Sequence, residues 1–194
     1  MERMDLDANQ LTALIRKDPE AATIQLIELF YERVYAFLRR LAYHDADAAD
    51  LTQQTFSRIQ RALASFVGRS SVTSWIHGIA YHVYIDWRRA QRPTESRPSE
   101  WWAECVSPCS PPDQSTAETD LANHLFACVD RLPPDLRESI HLHYYQELTL
   151  QETADAMDVA TSTVKYRLRQ ALAELQKQMA EQRHPPPSAR LKTV

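Results

Sequence analysis

From Asp18 onward, apolar residues recur at spacings of three and four: Ile24, Ile27, Tyr31, Val34, Leu38 and Leu41. That is the period of one buried helical face. Asp18-Pro19 supplies its start, an N-cap followed by proline at the first helical position, where a missing N–H costs nothing. The pattern predicts a helix continuing to about His44. A second helix is predicted from Asp47 to about Ala64, with Leu51, Thr55 or Phe56, Ile59 and Leu63 inward. Asp47 and Asp50 suit the positive end of its dipole. Residues 65–73, SFVGRSSVT, break the period with Gly68 and small hydroxyls, and read as a loop. A third helix, Ser74 to about Ala90, turns Ile76, Ile79 or Ala80, Val83 and Trp87 inward. Three such helices can share one small core.

The pattern then stops. Between Pro93 and about Thr116 five prolines (93, 98, 108, 111 and 112) and scattered Ser and Thr prevent a long helix, so this stretch reads as a linker. Trp101 and Trp102 within it are costly to leave in water and suit docking on a domain. Helical patterning resumes over Asp120–Arg131, ends at Leu132-Pro133-Pro134, and resumes over Asp135–Tyr145. Thr149-Leu150-Gln151-Glu152 is a capping box opening a short helix to Met157. A turn at Asp158-Val159-Ala160 leads to a last long helix, from Thr161 to about Gln182, before a frayed tail. The class is all-α, in two small helical domains without an internal repeat.

Composition supports this and removes alternatives. Among 194 residues only Gly68 and Gly78 are glycine, which counts against glycine-rich phosphate loops and dinucleotide fingerprints. Three cysteines, Cys105, Cys109 and Cys128, form no disulfide framework. No apolar run reaches a membrane span, and MERMDLDANQ lacks the order of a signal peptide, so the reading is cytoplasmic with no membrane insertion. Net charge is −4, an average over unlike parts. Six acids against Arg97 occupy 93–120. Lys165, Arg167, Arg169, Lys177 and Arg183 against Glu174 and Glu181 occupy 161–183, and Arg88, Arg89 and Arg92 form a second basic cluster.

The segment 149–175 has the pattern of a helix-turn-helix. Ala154 is small where two helices cross, Val159 plugs the turn, and Val164 and Leu168 face the core. Thr161, Ser162, Lys165, Tyr166, Arg169 and, less firmly, Arg167 are left outward, a set suited to phosphates and base edges in a major groove. In the first domain, Trp75, Tyr81, Tyr84 and Trp87 precede Arg88, Arg89 and Arg92. Aromatics among bases suit single-stranded DNA, but core packing explains them as well, and better for Trp87. His77, His82, His141 and His143 are read as satisfied or solvent-facing histidines. Cys105 and Cys109, with Cys128 or a histidine, are only weakly spaced for zinc or redox chemistry. No metal or cofactor is assigned, and no carboxylate pairs with a base and nucleophile, so no catalytic residue is expected.

In the order of these features the chain resembles the extracytoplasmic-function (ECF) sigma factors of the bacterial sigma-70 family. The first domain resembles region 2 in YHDADAADLTQQTF (43–56) and IQRALASFVGRSSVTSWIHGIAYHVYIDWRRAQR (59–92); the second resembles region 4 in LPPDLRESIHLHYYQELTLQETADAMDVATSTVKYRLRQALAEL (132–175). The resemblance implies domains at 1–92 and 118–183, a flexible linker at 93–117 and a disordered tail at 184–194. It implies binding to core RNA polymerase (β′ clamp helices and β flap) and to promoter DNA, single-stranded at the −10 element and double-stranded at −35, serving a stress- or envelope-type regulon. It also implies an anti-sigma factor, which would stabilise the two domains closed on each other. By position, Asp47, Asp50, Leu51, Gln53, Gln54 and Phe56 match the polymerase-binding motif, with Arg39 and Arg40 nearby. Phe66, Gly68, Arg69, Ser71, Val72 and Thr73 match the −10 loop, Trp75 opens the following helix, and Arg88 and Arg89 match its basic end. Thr163, Val164, Lys165 and Arg167 match the −35 helix, joined there by Thr161, Ser162, Tyr166, Arg169 and Gln170. Gln54 stands where the family usually has glutamate, and Gln170 where arginine is common, so no promoter sequence carries over. Thr52 and Thr55, beside Gln54, are candidate phosphorylation sites that would restore the missing charge. The alternative is a two-domain helix-turn-helix regulator acting without polymerase.

Overall fold

The computed structural model describes residues 7–91 and 117–183, and those residues are helical with short connections. In chain order the helices are α1 (Ala8–Lys17), α2 (Pro19–Ala42), α3 (Asp45–Ala62), α4 (Val72–Ala90), α5 (Ala117–Asp130), α6 (Pro134–Ile140), α7 (Leu150–Met157) and α8 (Thr161–Arg183). A 3-10 turn (Leu63–Ser65) follows α3, and α6 runs on into a π-helical turn (His141–Tyr145).

Helix α1 has no counterpart in the sequence pattern above. Asp7 opens it, its backbone N–H donating to Gln10 Oε1 at 3.3 Å, and Leu11 and Ile15 bury against α2. Helix α2 begins where Asp18-Pro19 predicts: Asp18 Oδ1 accepts from the N–H groups of Glu20 (3.1 Å) and Ala21 (3.0 Å). Its buried face departs from the predicted one. Val34, Leu38 and Leu41 are inside, but Ile24, Ile27 and Tyr31 are exposed, and Ala22, Leu26, Phe30 and Phe37 take the core. Two apolar stripes run down this helix and share Val34. Packing of α1, α3 and α4 selects between them. In α4, Ile76, Ala80 and Val83 are buried as predicted; Tyr81 and Tyr84 join them, so the core explanation holds for these two aromatics.

In the second group the Thr149–Glu152 box is formed. Thr149 Oγ1 accepts from the Glu152 N–H (3.2 Å), and Glu152 Oε2 accepts from the Thr149 N–H (3.0 Å). Asp158, in the left-handed region at φ 54°, ends α7 and turns the chain into α8. Val164, Leu168, Ala171 and Leu175 of α8 close a core with Cys128, Val129, Leu132, Ile140 and Ala154.

The two groups pack on each other. Helix α4 lies against α7, where Gly78 meets Ala156. A Cβ on Gly78 would stand 3.7 Å from Ala156 Cα, an ordinary contact, so the glycine here is convenient rather than required. Leu142, Leu148, Ala156 and Met157 of the second group complete the core of the first. Trp101 and Trp102, named above as docking residues, lie outside the described residues, as do Cys105, Cys109, Arg92 and the tail. Among the described residues, no helix is long and apolar enough to cross a membrane.

Candidate polymerase and nucleic-acid interfaces

Helix α8 presents Ser162, Lys165, Tyr166 and Arg169 on its exposed side, at positions i, i+3, i+4 and i+7. That spacing places them on one face. Gln170 Nε2 donates to the Tyr166 hydroxyl at 2.6 Å, and Thr161 Oγ1 donates to Gln151 Oε1 at 2.8 Å, bracing the stripe from both ends. Arg167 leaves the outward set. Its guanidinium is only partly exposed and bonds Asp135 on α6 at 3.1 Å, tying α8 to its own domain. An open groove beside the stripe is lined by His143, Tyr144, Leu150, Leu168 and Leu172.

The loop before α4 divides into framework and surface. Phe66 and Val72 are buried, Phe66 packing on Trp75 with ring centroids 4.8 Å apart. A buried ring and a buried isopropyl group cannot meet a base in this conformation, so these two shape the loop. Gly68 (φ 74°), Arg69 and Ser71 are exposed, as is Val67, which the sequence reading passed over. Ser71 caps α4, its Oγ accepting from the Ser74 N–H at 3.2 Å. Thr73 is half-buried.

On α3, Asp50, Gln53 and Gln54 are exposed and Asp47 is half-exposed. Leu51 and Phe56 are buried and hold the helix in place. Thr52 and Thr55 are fully enclosed, their hydroxyls donating to the carbonyls of Ala48 and Leu51, each at 2.7 Å. Neither is accessible for phosphorylation in this fold, so that expectation is withdrawn. Arg39 pairs with Asp45 and also donates to the Tyr43 carbonyl. The Arg39 guanidinium holds the Asp45 carboxyl below its ordinary value.

The seam between the groups engages several residues assigned above to polymerase or DNA. Arg88 pairs with Glu138, which is almost fully buried and also accepts from the Tyr81 hydroxyl at 2.8 Å. Burial pushes the Glu138 carboxyl up, and Arg88 and Tyr81 pull it partly back. Arg40 lies over the rings of Phe126 (4.5 Å) and Tyr145 (5.0 Å). Ser71 donates to Glu152. Against the upward pull of burial, that bond and those from Thr149 hold the Glu152 carboxyl below its ordinary value. Arg137 lies over the Tyr43 ring at 4.9 Å and donates to its hydroxyl. Arg89 stays exposed. Glu138 went unnoticed in the sequence, although a carboxylate four residues before the apolar Leu142, on the same helical face, was a legible signal.

Among the described residues no His, Cys, Asp and Glu cluster could hold a metal. Cys128 is buried, its sulfur 3.5 Å from His124 Nε2. His143 is satisfied by the Leu148 carbonyl at 2.7 Å, and His82 faces solvent. His141 fits neither category: it is buried and both ring nitrogens lack partners.

Two small helical domains, the second with a basic helix-turn-helix, are the architecture of a DNA-binding transcription protein, and the family matches make it a sigma-70-type factor. The description "Sigma-70 region 2" matches residues 26–94, and "Sigma-70, region 4" matches 124–175. The ECF sigma factor SigX of Bacillus subtilis (strain 168) is 30% identical over 162 residues, spanning 81% of this chain and 84% of SigX. The sigma factor YlaC of the same organism is 30% identical over 161 residues, 81% of this chain and 92% of YlaC. The chain belongs to the ECF sigma factors of the sigma-70 family. Two solved structures share the fold: RpoE with the anti-sigma factor NepR from Bartonella quintana (TM-score 0.63, 19% identity, 80% of this chain and 95% of that one) and CnrH with the cytosolic domain of CnrY (TM-score 0.64, 20% identity, 91% and 98%). Membership carries the family's activity. The chain binds core RNA polymerase and recognises −35 and −10 promoter elements, and it is not an enzyme.

Proposed function

We propose that residues 1–92 and 118–183 divide promoter recognition between them, and that the closed arrangement is a resting form that must open first. The observation that carries this is the capture of Arg88 by Glu138, with Ser71 held by Glu152. A guanidinium under a buried carboxylate cannot grip a phosphate, and a bonded hydroxyl at the loop is not free for a base. Asp47, Asp50, Gln53 and Gln54 form the face for the β′ clamp helices. Gly68, Arg69, Ser71 and Thr73, with Arg88 and Arg89, serve the −10 strand once released. Ser162, Lys165, Tyr166 and Arg169 read the −35 duplex, with Lys165 nearest the N-terminal turn and best placed for a guanine edge. The chain works in the cytoplasm, where polymerase and promoter are. An anti-sigma factor, the class of partner that RpoE binds in its complex with NepR, would hold it in the closed form.

The test is capture of the full chain on immobilised core polymerase, followed by transcription from a promoter fragment. Combined Asp50→Arg and Gln53→Ala substitution should weaken capture while leaving the melting temperature unchanged. Unchanged capture would remove the α3 face from the assignment, and failure of the wild-type chain to bind core polymerase would overturn the reading.

A further inference from the structure

Two imidazoles lie at the seam with their hydrogen bonding incomplete. His77, on α4, is fully enclosed; its Nδ1 is 2.8 Å from the Thr73 carbonyl, and its Nε2 has no well-formed hydrogen bond among the described residues, although the Gln146 side chain interacts with the ring. The Phe37 ring meets it edge-on at 5.6 Å, Arg33 of α2 acts on it, and the Gln146 amide comes from the second group. His141, on the π-helical turn, stacks at 4.9 Å on Tyr145, with Arg40 of α2 and Arg137 of α6 the charges acting on it. The charges acting on both rings are thus all cations. A proton added to either would be buried and repelled, and at His141 it would find no acceptor among the described residues.

We propose that the seam is a proton-linked latch: the closed arrangement holds only while His77 and His141 are neutral, and protonating them drives the two helical groups apart. Burial, assisted by Arg33, lowers His77 to about 4. Burial, assisted by Arg40 and Arg137, lowers His141 to about 3. In an opened chain, with Gln146 gone from His77 and Arg40 from His141, each moves back towards 6.5, while Arg33 and Arg137 stay with their rings. A histidine depressed in the closed form favours closure above that value and loses the contribution as pH falls through it. Below about pH 6.5 each ring shifts the equilibrium towards opening by at most roughly tenfold per pH unit, so two rings give up to about 100-fold between pH 7.5 and 5.5. The buried carboxyls of Glu138 and Asp130 act oppositely. Burial raises both, so acid favours closure through them. Their rise is held back by cations, Arg88 and Arg137 at Glu138 and Arg137, Arg40 and Arg39 at Asp130. His141 has no such compensation, and at His77 the hydrogen bonds with Thr73 and Gln146 offset burial only in part, so the imidazoles set the sign. Opening would release Arg40, Ser71 and Arg88 together.

The consequence for transcription rests on the function proposed above; the latch itself does not, and its test uses neither DNA nor polymerase. Small-angle scattering of the full chain from pH 7.5 to 5.5 should show expansion as pH falls, with the helical signal retained. His77→Gln combined with His141→Gln should stay compact throughout, and Glu138→Gln should still expand on acidification. No expansion in the wild type, equal expansion in the double variant, or its loss in Glu138→Gln would each overturn the proposal. Should the double variant fail to fold, imidazole resonances of the wild type decide. Both rings should stay neutral while the chain is compact, and titration of either near 6.5 without expansion refutes the latch.

Discussion

Replacing Glu138 by Ala should loosen the seam and strengthen promoter binding at once. The carboxylate is 1% exposed, accepts from the Tyr81 hydroxyl at 2.8 Å and pairs with Arg88, whose side chain keeps 24% of its exposure. Breaking a fully buried pair costs about 3–5 kcal/mol, and a stranded hydroxyl about 1–3 kcal/mol. Arg88 can turn its guanidinium to water, which pulls the total down to roughly 2–4 kcal/mol. The loss falls on contact between the groups, since Tyr81 and Arg88 sit on α4 and Glu138 on α6. Opening should therefore become about 30- to 700-fold more favourable. Scattering would report the expansion, and anisotropy titration with a promoter fragment would report the tighter binding that follows from releasing Arg88. Unchanged compactness, or weaker DNA binding in an expanded chain, would refute the reasoning.

Three other outcomes follow from the same contacts. Lys165→Ala should cost about 1–3 kcal/mol on the −35 duplex and much less on scrambled duplex, measured by titration at several salt concentrations. Arg167→Ala, whose guanidinium is held by Asp135, should lower thermal stability slightly and leave the ratio of specific to scrambled binding unchanged. Thr55→Glu should unfold the first group, because an added carboxylate would be buried where the hydroxyl now bonds Leu51; a calorimetric scan showing a native-like transition would contradict this.

Much of the fold was legible because its signals are local. Asp18-Pro19 and the Thr149–Glu152 box satisfy backbone donors within one turn, so the residues that make them announce where helices start. The Asp7–Gln10 pair carried the same signal for α1 and was passed over, its apolar period being only two buried residues long. The outward set on α8 was legible for a similar reason: Val164 and Leu168 fix the inner face, and the rest follows from helical geometry.

Other features had no local source. A period of 3.6 is satisfied by either stripe of α2, and the choice of Leu26 and Phe30 over Ile27 and Tyr31 was made by the helices that pack there. Arg167 and Lys165 look alike as text; Asp135, thirty-two residues away, separates a structural cation from an exposed one. Thr52 and Thr55 read as candidate phosphorylation sites, with Thr55 an alternative to Phe56 inside, and only the packing of α3 encloses both. The sequence by itself determined the helices, their caps, the two-domain plan and the family, since these depend on neighbours within a few residues. Only the tertiary structure decided that Arg88, Arg40 and Ser71 are occupied by the other half of the chain, and that His77 and His141 are buried beside cations. Burial and charge at those positions come from residues tens of positions away, brought together by packing alone.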